Sequence, residues 1–380
     1  MIDTLSLAQT LIRIPSVTPA ASEIFRTLGE VLEAEGFTLR PLRFTEPGTP
    51  EVHNLVATAG QGERHFAFAG HLDVVPPGEG WTVPAFGGEV RDGFLYGRGA
   101  ADMKGAVAAF AAAAAAFIQA RGTDTASWRI SLILTGDEEG PCINGTKKIM
   151  DRLAELHAVP QACVLGEPTC AEHFGETVKT GRRGSLNARI TVRGVQGHVA
   201  YPDLADNPVH RLIAALAELA ARRLDEGGDG FLPSSLAVTS VDVGNPAGNV
   251  IPARAEARLN VRFGPSQTAR GLADWIEAVL TRHAPDHRTT FEFSAEPFFT
   301  PPGPLVDLVG RAVADVTGTV PECGTAGGTS DARFIKDHCP VVEFGPVGKT
   351  MHKADERVAV PDLLALAQVY RRILERFFAP

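Results

Sequence analysis

The chain has 380 residues, 44% of them hydrophobic and 21% charged, with a formal net charge of -9. That balance fits a globular chain long enough for two domains and excludes a disordered one. The acidic sign gives no footprint for nucleic acid. No apolar run reaches the roughly 20 residues that cross a bilayer, so neither a nucleic-acid nor a membrane partner is expected.

The N-terminus carries Asp3 and no cationic start before an apolar core, which argues against a secretory signal and for a cytoplasmic protein. Leu5, Leu7, Leu11, Ile12 and Ile14 form one helix face, closed by Pro15. Residues 53–58 and 64–70 read as strands, 103–120 as a helix, and 128–135 and 162–166 as further strands. The alanine-rich stretch Ala106–Ile118 is expected to be an amphipathic buried helix. Strands alternating with helices imply an α/β fold with a mixed, mostly parallel sheet flanked by helices. The pattern changes over 181–295, where strand, helix, two strands, helix and strand follow in turn. That order predicts a ferredoxin-like α+β domain, inserted into a catalytic domain made of residues 1–180 and 296–380. Cys142, Cys163, Cys170, Cys323 and Cys339 include no C-x-x-C pair, so reduced thiols are expected and not a disulfide framework or cysteine zinc site.

Polar clusters lie just past three apolar strands: His71 and Asp73 in FAFAGHLDVVP, Asp137, Glu138 and Glu139 in ISLILTGDEEG, and Glu167 in ACVLGEP. In open α/β sheets the carboxyl ends of strands are where ligands bind. GRGAADMKG adds Asp102 at the start of the alanine-rich helix, and GKTMHKADE adds His352. Taken singly, each has a plainer reading: Asp102 as a helix N-cap, Glu167-Pro168 as a turn, paired glutamates as a solvated surface. One dinuclear site accounts for all five groups together. Zinc takes histidine nitrogen and carboxylate oxygen, and a carboxylate outside the metal shell, here Glu138, can carry the proton of the attacking water. Asp73, two residues from His71, is placed to accept a hydrogen bond from the imidazole. No G-x-S-x-G elbow supports covalent catalysis, and GRGAADMKG lacks the G-K-[ST] ending of a phosphate loop.

HLDVVP, GRGAADMKG, GDEEG, GEP and MHKADE, in that order, resemble the metallopeptidase and deacylase family that includes aminoacylase, acetylornithine deacetylase and glutamate carboxypeptidases. The resemblance spans essentially the whole chain. It implies a zinc exopeptidase-like catalytic domain, an inserted domain that mediates a homodimer, and two zinc ions, for which cobalt or manganese can substitute. His71, Asp102 and Glu167 would hold one metal; Asp102, Glu139 and His352 the other, with Asp102 bridging. Glu138 would be the general acid/base and Asp73 the orienting aspartate. VKTGRRGSL, GHVAYP, GNVIP, LNVRF and GGTSDARFI resemble the desuccinylases of this family. They imply hydrolysis of N-succinyl-LL-2,6-diaminopimelate, with His198 of the second subunit stabilising the oxyanion. Lys179, Arg182, Ser185, Tyr201, Asn249, Arg262, Gly328 and Thr329 would line the substrate site. Gly348 stands where some desuccinylases have asparagine, so that contact is absent here or comes from Lys349. The rival readings are a sibling deacylase such as acetylornithine deacetylase, or a non-catalytic scaffold.

Overall fold

The computed structural model describes residues 2–228 and 230–379. In chain order the main elements are α1 (Thr4–Ile12), α2 (Ser22–Ala34), β1 (Thr38–Phe44), β2 (Val52–Gly60), β3 (His65–His71), α3 (Lys104–Arg121), β4 (Arg129–Thr135), α4 (Thr146–Glu155), β5 (Ala162–Leu165) and β6 (Thr177–Lys179). They continue with β7 (Gly184–Arg193), α5 (Pro208–Ala221), β8 (Ser235–Asp242), β9 (Arg254–Phe263), α6 (Ala269–His283) and β10 (His287–Ala295). The chain closes with α7 (Pro304–Thr317), β11 (Glu322–Gly324), β12 (Val341–Glu343) and α8 (Val360–Phe377).

The chain divides into two compact units. One comprises the residues through Thr180, Thr300–Gly324 and those from Ser330 onward; the other comprises Gly181–Phe299 and Thr325–Thr329. Thus the GGTSD stretch is split, Gly328 and Thr329 belonging to the second unit and Ser330 to the first.

The first unit is built on an eight-stranded sheet in the order β1-β2-β4-β3-β5-β12-β6-β11. β3 runs parallel to β4 and β5, and β12 parallel to β5, whereas β1, β2 and the β12–β6 bridge are antiparallel. Parallel strands covered on both faces need continuous apolar runs, and HFAFAGH in β3 is buried at every position. The alanine-rich helix differs from the sequence expectation. α3 is buried from Lys104 through Ala115 on every side and has no exposed face there. Its methyl side chains admit close approach of α1, α8 and the sheet at once, so no polar stripe remains. Phe68, Phe110 and Tyr370 knit sheet, α3 and α8 together at ring distances of 4.5–5.6 Å.

The second unit is a four-stranded antiparallel sheet, order β8-β9-β7-β10. Ala255, Ala257, Leu259, Val261 and Phe263 of β9 face helices α5 and α6, sharing a core with Leu212, Leu216, Leu272 and Ile276. The alternate residues of β9 form a polar row on the other face, as period-two alternation requires. Strand order and connectivity are those of a ferredoxin-like fold. The five cysteines are free, and among the described residues no helix is long and apolar enough to cross a membrane.

Candidate metal centre

β4, β3 and β5 lie side by side and parallel, with His71 opposite Thr135 and Ala69 opposite Leu165. The residues that follow their carboxyl ends therefore arrive at one rim of the sheet. His71, the last residue of β3, is 1% exposed. Its Nδ1 donates to the carbonyl of Asp73 at 2.9 Å. A carbonyl can only accept, so this bond fixes the tautomer and leaves the Nε2 lone pair for a cation. Nε2 lies 3.3 Å from Asp102 Oδ1 and 3.9 Å from Glu167 Oε1. Burial disfavours protonation of His71, but Asp102 and the charges of Asp73 and Glu138 outweigh it and raise its pKa well above the usual value.

Asp73 departs from the role expected of it. Its carboxylate does not accept from the imidazole, Oδ1 being 3.7 Å from Nδ1. It accepts instead from the backbone N–H groups of Glu138, at 3.2 Å, and Glu139, at 2.9 Å. The Asp73 carbonyl thus meets the ring while its carboxylate serves the neighbouring loop. Burial raises its pKa to about 6, against the opposing effects of His71 and the two N–H groups.

Asp102 is not the N-cap of α3; that position is Met103, and no side chain caps the helix. The two oxygens of Asp102 instead face two imidazoles, Oδ1 toward His71 and Oδ2 toward His352 Nε2 at 3.1 Å. The same His352 nitrogen is 2.9 Å from Glu139 Oε1. His352 sits in a turn at φ 63°, a left-handed conformation that costs a non-glycine residue about 1–2 kcal/mol. Thr350 clamps that turn through the carbonyl and N–H of Arg357, at 3.0 and 3.1 Å. Hydrogen bonds to Asp102 and Glu139 raise the His352 pKa to about 10. Burial and then the Glu167 carboxylate push the Glu138 carboxyl well above its usual range.

Two sets of donor atoms lie within 4.8 Å of one another: His71, Asp102 and Glu139, and His71, Glu138 and Glu167. Two imidazoles with a carboxylate between them, one of them held by a backbone carbonyl at its other nitrogen, suit divalent cations of the zinc type. Cations would also return crowded buried carboxyls to their ionised form.

In the same unit Lys179 Nζ donates to the Pro168 carbonyl at 3.4 Å, next to Glu167. Lys349 pairs with Glu172 at the surface, and the Gly348 N–H donates to the Cys170 carbonyl at 2.8 Å. The remaining candidates belong to the second unit. His198, Tyr201 and Asn249 form one surface knuckle: the His198 and Tyr201 rings are 5.8 Å apart, and the Val199 N–H donates to the Asn249 carbonyl at 3.1 Å. Ser185 pairs across the sheet with Arg262 on the polar face. Arg182 is buried and donates to the Gly328 carbonyl at 3.2 Å, one residue before Thr329.

Three residues near the centre, Asp331, Arg98 and Glu356, lie in the sequence motifs but carry no role that the motifs themselves indicate. Asp331, 3% exposed, accepts from the Thr146 hydroxyl at 2.6 Å. Arg98 and Glu356 form a buried ion pair at 2.6 Å. Their only sequence signal is position, each lying within five residues of an assigned group.

Residues 67–376 match the model of peptidase family M20/M25/M40. The succinyl-diaminopimelate desuccinylase of Acidiphilium cryptum is 55% identical to the chain, the match covering 99% of each. An M20 family metallo-carboxypeptidase from Sulfolobus solfataricus has a similar structure, with TM-score 0.78, 16% identity and complete coverage of both chains. A dinuclear metal-binding M20 peptidase from Bacillus subtilis gives TM-score 0.70 at 15% identity, over 97% of this chain and 96% of that one.

Proposed function

The chain belongs to peptidase family M20/M25/M40, and we propose that it hydrolyses N-succinyl-LL-2,6-diaminopimelate to succinate and LL-2,6-diaminopimelate. On this reading it is a cytoplasmic enzyme of bacterial lysine and cell-wall precursor synthesis. The observation that carries it is the convergence of two imidazoles and four carboxylates, from His71, Asp102, Glu138, Glu139, Glu167 and His352, at one sheet rim.

His71, Asp102 and Glu167 would hold one zinc and Asp102, Glu139 and His352 the other, and cobalt or manganese could take their place. When bound, such cations polarise the amide carbonyl and acidify water. Glu138 takes a proton from the attacking water and returns it to the amine nitrogen as the C–N bond breaks, leaving succinate and a free amine. Asp73 holds the backbone of Glu138 and Glu139 in place during that transfer.

The substrate carries carboxylates at both ends, which the planar forks of Arg182 and Arg262 suit. Lys179, Ser185, Tyr201, Asn249, Gly328 and Thr329 complete its surroundings, and His198 of a second copy donates to the developing oxyanion. A homodimer through the second unit is supported by β8, an edge strand with Val238 and Val241 exposed. Such an edge offers unpaired backbone groups to another strand.

Initial rates on the succinyl compound and on N-acetylornithine, under the same metal loading, test the substrate. Succinate release exceeding acetate release supports the reading; the reverse order moves the chain to the sibling deacetylases.

A further inference from the structure

We propose that Arg98 and Glu356 are positioning residues that tie three of the five ligand-bearing segments of the metal centre, those of His71, Asp102 and His352, into one rigid frame. The inference rests on the dinuclear reading above and extends it to residues that touch no metal.

Glu356 is wholly buried. Its Oε1 accepts the backbone N–H groups of Gly99, Ala101 and Asp102, each at 3.0 Å. Its Oε2 accepts Arg98 Nη1 at 2.6 Å, and its own carbonyl accepts the Gly97 N–H at 2.9 Å. One side chain thereby organises the turn that delivers Asp102, the carboxylate lying between the two histidines.

Arg98 extends the frame. It is 2% exposed, and its guanidinium donates to the Lys353 carbonyl at 3.2 Å and to the Pro77 carbonyl at 3.1 Å. Its carbon centre lies 5.3 Å from the Trp81 ring. Lys353 follows His352 directly, and Pro77 lies in the irregular segment that carries on from His71 through Asp73. The pair thus joins the segments bearing His71, Asp102 and His352.

Energetics favour orientation over bulk stability. A buried ion pair contributes little net stability compared with an apolar pair of the same volume, because desolvation offsets the attraction. What it supplies here is geometry. An ionised carboxylate is acceptor-only, so it satisfies three N–H groups and a guanidinium at once. A glutamine cannot: its amide N–H₂ would meet either Arg98 or the backbone N–H groups, donor against donor. Partners that orient metal ligands change affinity by about 10–100-fold when lost.

The test titrates zinc alone into chelator-stripped wild type, Glu356→Gln and Arg98→Lys, and measures amide exchange across residues 97–103. Phe117→Leu, in the core packed on Trp128 and Phe378, serves as a destabilised control. Zinc affinity is expected to fall about 10–100-fold in Glu356→Gln and by less in Arg98→Lys. Exchange at Gly99, Ala101 and Asp102 should quicken, with the control unchanged in both. Folded Glu356→Gln with wild-type zinc affinity and protection overturns the proposal, as does a Phe117→Leu control that loses zinc equally. Should Glu356→Gln not fold, Arg98→Lys decides by the same two readings. A wild type that binds no zinc overturns the dinuclear reading itself; zinc-binding wild type with unaltered variants overturns only the positioning role.

Discussion

The Asp73 carboxylate holds the backbone N–H of Glu139 at 2.9 Å and that of Glu138 at 3.2 Å. It therefore orients the loop that carries the proposed base and a proposed ligand. Asp73→Asn keeps one acceptor but turns an N–H₂ group against an N–H. Loss of such a supporting contact is expected to lower kcat by roughly 10–100-fold. Steady-state kinetics check this; an unchanged kcat would remove Asp73 from the machinery.

Glu138→Gln preserves shape and removes the proton carrier. A fall in kcat of about 10²–10⁴ is expected, with zinc per chain as in wild type. Rate and metal content measured on one sample separate base from ligand, because loss of a ligand would lower both.

Much of this was legible in the chain because its signals are local. Apolar runs ending in HLD, GDEEG and GEP mark parallel strands and the rim they share, and the strand–helix order of the insert follows from turn and period alone. What sequence could not supply was the direction of side chains. The i, i+2 spacing points the Asp73 carboxylate at His71, yet it is the Asp73 carbonyl that meets the ring and the carboxylate holds the loop after β4. Nor does spacing reveal that Glu356, about 250 residues from Asp102, caps the turn there; that contact exists only once β3, α3 and the 350–356 turn meet. The even burial of α3 was missed for a related reason: alanine marks close packing without saying how many neighbours share it.

Gly345 packs against the backbone that carries Glu167. A Cβ there would lie 2.4 Å from the Glu167 carbonyl oxygen and 2.6 Å from that of Gly166. Backbone cannot yield as a side chain can, so Gly345→Ala is expected to destabilise the fold by about 1–3 kcal/mol, the usual range for overpacking. It should also weaken zinc binding by displacing Glu167. Thermal melts and zinc titration of the variant test both; wild-type behaviour in each would contradict the packing argument.

His65 provides a pH signature away from the metal centre. Burial, with a smaller push from Arg129, lowers its pKa from 6.5 to about 4. The unfolded chain thus takes up a proton below 6.5 that the folded chain refuses until about 4, and stability falls as pH drops through that window. The full effect is about 3 kcal/mol. Denaturant unfolding of wild type and His65→Gln across this range should show a steeper acid loss in wild type. Parallel curves would contradict the assignment.

On the proposed function, a pair of metal ions held by His71, Asp102, Glu139, Glu167 and His352 would drive hydrolysis of a succinyl amide. The most direct test follows succinate release from N-succinyl-LL-2,6-diaminopimelate as zinc is returned to stripped protein. Release is expected to rise with zinc and to level off at two ions per chain. Two zinc ions bound with no succinate released would contradict it.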